Sequence, residues 1–175
     1  MLIPTLSIVA LRRFGRDRRG SAAVEFAIVA PIFFALIFAI IETGLFFLGG
    51  QVLETAVQDT GRTFYTSQSV TEASLKDAYC KSVKTLMGCE PEKLCLDVRK
   101  YAKGASLENM PKAVTATGTY SCVVELPIST DVDITMVVRG YYQWPLFVTG
   151  LGYNIGNIQG SNKRLLAATM AVRPQ

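Results

Sequence analysis

From Phe26 to Leu48 the chain is almost wholly apolar, and its polar interruptions fall near the two ends. Glu25 stands just before the run, and Glu42, Thr43 and Gly44 come near its far end, with 16 uncharged residues between the two glutamates. At a rise of ~1.5 Å per residue, this run extends over ~34 Å as a helix, enough for a hydrocarbon core of ~30 Å. The pattern predicts a membrane-spanning helix over residues 21–48, with Pro31 able to kink it. A carboxylate at mid-membrane costs roughly 2.5–3.5 kcal/mol, so Glu25 needs an interface or a partner.

Past Gly49-Gly50 the pattern changes. Val52, Leu53, Ala56, Val57 and Phe64 recur at three- and four-residue steps, and Gln51, Glu54 and Asp59 lie opposite. This predicts that the helix continues as an amphipathic stalk over 49–66 whose apolar face packs on a folded domain. Ser69-Val70-Thr71-Glu72 has the form of a capping box. A second helix is expected after it, burying Leu75, Ala78, Tyr79, Val83, Leu86 and Met87 and stopping at Gly88. From Leu94 the period becomes two: Leu94, Leu96 and Val98 alternate with Cys95, Asp97 and Arg99, the mark of a half-buried strand. Residues 104–116 read as an irregular excursion. Further strands are expected over Thr117–Leu126, which holds Cys122, over Val132–Tyr142, stopped at Trp144-Pro145, and over Arg164–Val172, where a helix is the rival reading. The glycines between Gly150 and Gly160 follow no phosphate-loop spacing and read as turn residues. The expected fold is α+β: a long N-terminal transmembrane and stalk helix on a small antiparallel sheet, with a second short helix.

Charge changes the picture at the N-terminus. The net charge of +4 is carried wholly by the residues before Ser21, where Arg12, Arg13, Arg16, Arg18 and Arg19 face only Asp17. The remainder is neutral, so the basic balance implies no nucleic-acid partner. An arginine block before a spanning helix places the N-terminus in the cytoplasm and residues 67–175 outside. Met1–Leu11 is apolar but too short to span, and reads with the arginines as a leader over residues 1–20. The chain has no histidine, which removes the commonest general base and zinc ligand and any Ser-His or Cys-His dyad. No nucleophile elbow or paired-carboxylate motif replaces them, so no catalytic residue, metal or cofactor is expected and the chain does not read as an enzyme.

The junction Arg18-Arg19-Gly20-Ser21-Ala22-Ala23-Val24-Glu25-Phe26 resembles a prepilin peptidase site. More of the chain is similar to the TadE-like minor pilins (pseudopilins) of the tight-adherence, or Tad/Flp, pilus system. The likeness is carried by AAVEFAIVAP, by Glu42 and Gly44, and by Gln51, Ala56 and Arg62. It continues in Cys80 and Cys89 ahead of LCLDVRKY, in VVRGYYQWPL and in LLAATMAVRP. The resemblance implies cleavage between Gly20 and Ser21 on the cytoplasmic side of an inner membrane, with Glu25 and Phe26 becoming the fifth and sixth residues. The new amine, cationic at neutral pH with a pKa of ~7.7–8.0, is then a partner for the Glu25 carboxylate of a neighbouring subunit. Implied partners are the prepilin peptidase, other pilins, the Tad inner-membrane assembly proteins and the bilayer. The implied role is assembly of an adhesive pilus for surface attachment. The alternative is an uncleaved, signal-anchored periplasmic binding module of the cell envelope.

Three side-chain groups leave choices open. Glu42 fits either a subunit-assembly contact or a marker of the membrane boundary. Tyr141, Tyr142, Trp144 and Phe147 fit a domain core or a membrane-facing rim better than an adhesive patch. The cysteines, spaced by nine, six and 27 residues, do not resemble paired CxxC zinc ligands and suit two disulfides in an oxidising compartment. Of the three possible pairings, the expected one joins Cys80 to Cys89, helix to loop, and Cys95 to Cys122, strand to strand.

Overall fold

In the computed structural model the described residues are 20–66, 70–90, 93–102, 104–106, 110–126 and 134–173. The leader therefore lies outside them except for Gly20. The chain divides into two compact units, Met1–Ile40 and Ile41–Gln175. Helix α1, Ser21–Thr66, supplies the described part of the first unit and opens the second. Pro31 lies inside it, and Gly49-Gly50 does not interrupt it. Within the first unit the large apolar side chains from Val24 to Ile40 are mostly exposed, as a lipid-facing helix requires. Among the described residues, α1 is the one helix long and apolar enough to cross a membrane.

In the second unit, α1 is followed by helix α2, Glu72–Met87, and by strands β1, Leu94–Ala102, β2, Ile134–Pro145, and β3, Lys163–Val172. The strands form an antiparallel sheet in the order β1-β2-β3, so the α+β expectation holds. The start of α2 differs in detail from the expected box. Thr71 is the N-cap, its hydroxyl accepting from the Ser74 amide at 3.2 Å while the Thr71 amide donates back to the Ser74 hydroxyl. Ser69 lies outside the described residues. Leu75, Tyr79, Val83 and Met87 form the buried stripe, with Ala78 and Leu86 at its half-buried margin, and Gly88 ends the helix at positive φ.

One face of the sheet meets both helices. Leu96 and Val98 of β1, Met136, Val138, Tyr142 and Trp144 of β2, and Leu166 and Val172 of β3 join Leu53, Ala56, Val57 and Phe64 of α1 and the α2 stripe in one core. Glycines mark the closest approaches. A Cβ on Gly140 would stand 2.6 Å from both Val57 Cγ2 and the Tyr79 hydroxyl, and one on Gly49 would meet the Trp144 ring at 2.7 Å. Gly49 therefore serves helix–sheet packing. Tyr142 and Trp144 are core residues in edge-to-face contact, and β2 includes Trp144 and Pro145, three residues beyond the expected end. Pro145 is tolerated as the terminal residue, where the ladder loses little from the missing N–H.

The opposite face is covered by residues 110–126. Most of the expected strand over Thr117–Leu126 is not one. Val114 and Tyr120 make an isolated bridge about a turn that holds Gly118 at positive φ, and Val124 makes a single parallel bridge to Val98. The cause is that side chains take the backbone amides a ladder would use. Val98 bonds Val123 and Glu125 through its own main chain, at 2.7 and 3.0 Å. Beside this, the Val123 amide donates to Asp97 and the Lys100 amide to Glu125, at 3.0 and 2.9 Å. Residues 123–125 thus run along the free edge of β1, and Asp97, whose alternation marked it for solvent, is fully buried.

Candidate functional site

The expected cleavage junction lies where α1 begins. Gly20 is in a 3-10 turn immediately before the helix, is exposed, and has open space where a Cβ would be. Ser21 is the first α-helical residue, and its hydroxyl donates to the Glu25 carboxylate at 2.9 Å. This follows from helix geometry, since residues four apart lie on one face. Glu25 and Phe26 are both exposed. Chemically the arrangement is an accessible peptide bond followed by a carboxylate within one turn of the atom that would become an α-amine.

Glu42 has a different environment. It belongs to the second unit, is only 4 % exposed, and its carboxylate accepts from two backbone amides more than a hundred residues away. Phe147 N donates to Oε1, and Val148 N lies 3.2 Å from Oε2. These amides open the short 3-10 turn Val148–Leu151. One residue further, the Thr43 hydroxyl pairs with that of Tyr153 at 3.0 Å. Glu42 therefore has an intramolecular role, fixing the β2–β3 connection against α1. No feature of the local sequence signals this partner.

The cysteines pair as expected, Cys80 with Cys89 and Cys95 with Cys122, at Cα separations of 5.5 and 6.2 Å. Cys122 lies on the irregular segment beside β1 and not on a regular strand. With the thiols oxidised in pairs, they cannot serve as thiolate ligands. Among the described residues no group of three or more His, Cys, Asp or Glu side chains is placed to hold a metal ion.

Sequence reasoning missed a polar centre on the second face of the sheet. Asp97 accepts from Arg139 Nε at 3.0 Å and from its Nη2, from Arg99 Nε at 3.1 Å, and from the Val123 amide. Arg139 also donates to the Pro111 carbonyl at 3.0 Å. Asp97 and Arg139 face each other in the β1–β2 register. An arginine inside the apolar run VVRGYY was the available signal, but its partner emerges only once the strands are aligned. Arg99 beside this carboxylate is held above the usual guanidinium range by its hydrogen bond to Asp97. The centre is saturated with internal bonds, which is the chemistry of a structural tie. Tyr79, under the helices, is raised above the ordinary phenol range by burial and stays neutral.

Compared with known proteins, residues 20–62 match the family model described as TadE-like protein. The matched segment begins at the expected junction and runs through the spanning run into the stalk. No curated protein and no solved structure gives a match to the chain.

Proposed function

We propose that this chain is a bitopic TadE-like minor pilin (pseudopilin), cut after Gly20 by a prepilin peptidase and acting in assembly of an adhesive Tad/Flp pilus. It has no catalysis of its own. The observation that carries this reading is the TadE-like match over residues 20–62, which takes in Gly20, Ser21 and Glu25 together with the exposed apolar helix. The arginine block before Gly20 supports an orientation with the N-terminus in the cytoplasm of a bacterium and the disulfide-bonded unit in the periplasm. In this reading α1 is drawn alongside other pilin helices, and Glu25 of one subunit meets the Ser21 amine of another. An unpaired carboxylate is costly at low dielectric, so the pairing favours one axial register.

Two experiments test the reading. Co-expression with a prepilin peptidase and sequencing of the mature N-terminus should return Ser21 as the first residue. An intact Met1 would favour the uncleaved, signal-anchored module. In a piliated host, Glu25→Ala should be cut normally yet yield no filaments, and wild-type piliation would remove Glu25 from assembly.

A further inference from the structure

Phe147 is the most exposed large apolar side chain in the described structure, at 77 %, yet its backbone amide is bonded to a buried carboxylate. The buried Glu42 carboxylate takes the amides of Phe147 and Val148. The following residues close a 3-10 turn in which the Gly152 amide bonds Thr149 O, and Tyr153 is fastened to Thr43. Exposure here is therefore imposed by the fold and is not the fraying of a loose loop.

The surroundings are apolar on the α1 side. Ile41, Leu45, Phe47 and Leu48 are exposed and belong to the far end of the apolar run, on either side of the buried Glu42. Arg164 then lies over the Phe46 ring, 4.6 Å from its centroid, and donates to the Ile155 carbonyl. Exposed apolar side chains beside a tyrosine hydroxyl and a ring-stacked arginine are the composition of a membrane–water boundary, where aromatic rings gather and long cationic side chains reach for the polar side. Non-helical backbone enters apolar surroundings only when its polar groups are satisfied. Glu42 meets that condition for the two leading amides.

We propose that residues 147–153 form a foot seated in the lipid interface, with the Phe147 ring inserted among acyl chains of the leaflet at the Leu48 end of the span. The occupant of this surface is the bilayer itself. The proposal rests on the reading of residues 21–48 as a span, and Glu42 is its positioning residue.

The test uses the full chain in phosphatidylcholine–phosphatidylglycerol vesicles, with a nitroxide on Phe147→Cys and the native cysteines left as disulfides. Collision with oxygen and with a water-soluble nickel complex is measured by power-saturation EPR. Labels on Phe38→Cys, within the expected span, and on Thr85→Cys, exposed on α2, serve as references. The label at 147 should collide with oxygen several-fold more than with nickel, as at 38 and opposite to 85. A nickel response like that at 85 would overturn the proposal. So would shielding from both reagents, which would mark a contact with protein, including a second copy. If the label at 38 reads as water-exposed, the spanning assignment fails and the foot fails with it.

Discussion

Asp97→Ala is expected to destabilise the Ile41–Gln175 unit by about 3–5 kcal/mol, the range for removing one member of a buried ion pair. Asp97 is inaccessible to solvent, and Arg139 is nearly so. Alanine would leave the Arg139 guanidinium buried without the carboxylate that faces it, its bond to the Pro111 carbonyl remaining. It would also leave the Val123 amide without its carboxylate acceptor. Urea denaturation of the detergent-solubilised chain, followed by Trp144 fluorescence, measures the loss. Arg99→Ala is the comparison and should cost less, because Arg99 is partly solvated and its removal leaves Asp97 still paired with Arg139. Replacing Asp97 and Arg139 together by apolar residues should cost less than losing Asp97 alone, since the one cation left without that carboxylate, Arg99, is partly solvated. A loss below about 1 kcal/mol for Asp97→Ala would refute the assignment of this pair as the tie between β1 and β2.

The second large effect is expected from Cys95→Ala with Cys122→Ala. This disulfide closes a sequence separation of 27 residues, for which loss of chain entropy in the unfolded state corresponds to about 3.5 kcal/mol. The Cys80–Cys89 bond, with a separation of nine, corresponds to about 2.6 kcal/mol. The same denaturation experiment on the two double variants should place them in this order, and the reverse order would contradict the loop-length account. Both Asp97 and Cys122 hold the segment around Val123. The combined loss in a triple variant should therefore fall short of the sum, because residues sharing one segment couple.

The parts legible in the sequence are those written in periodic burial. The apolar run and its three- and four-residue continuation gave a helix that passes Gly49-Gly50 unbroken. The α2 stripe, the β1 alternation and the Val132–Tyr142 run placed the main elements and the helix-facing side of the sheet. The cysteine pairing was the favoured one of three that the sequence left open. Three features were hidden, each for a physical reason. Asp97 looked solvent-facing because its cover, residues 110–126, is irregular and has no periodicity to read. Thr117–Leu126 resembled a strand by composition, but carboxylates of Asp97 and Glu125 take amides that a ladder would pair. Glu42 read equally as a subunit-assembly contact or a boundary marker, and its bonds to Phe147 and Val148 lie beyond the reach of any local pattern. At the candidate junction the residue types were legible, and so was the approach of Ser21 to Glu25, which follows from helical spacing.

The strand order β1-β2-β3 bears on how the chain is made. During synthesis α2 and β1 appear well before β2, and the central strand is complete only at Pro145. Until then Leu96 and Val98 have no hydrogen-bonded neighbour from the sheet, and the Val57 and Tyr79 contacts across Gly140 do not exist. Such long-range closures are slow compared with helix formation, and an unpaired strand edge is a hazard while it lasts. The short Cys80–Cys89 loop can close without waiting for β2. The ribosome thus delivers the helices first and the strand that unites them late, and the nascent chain spends that interval with one strand of three.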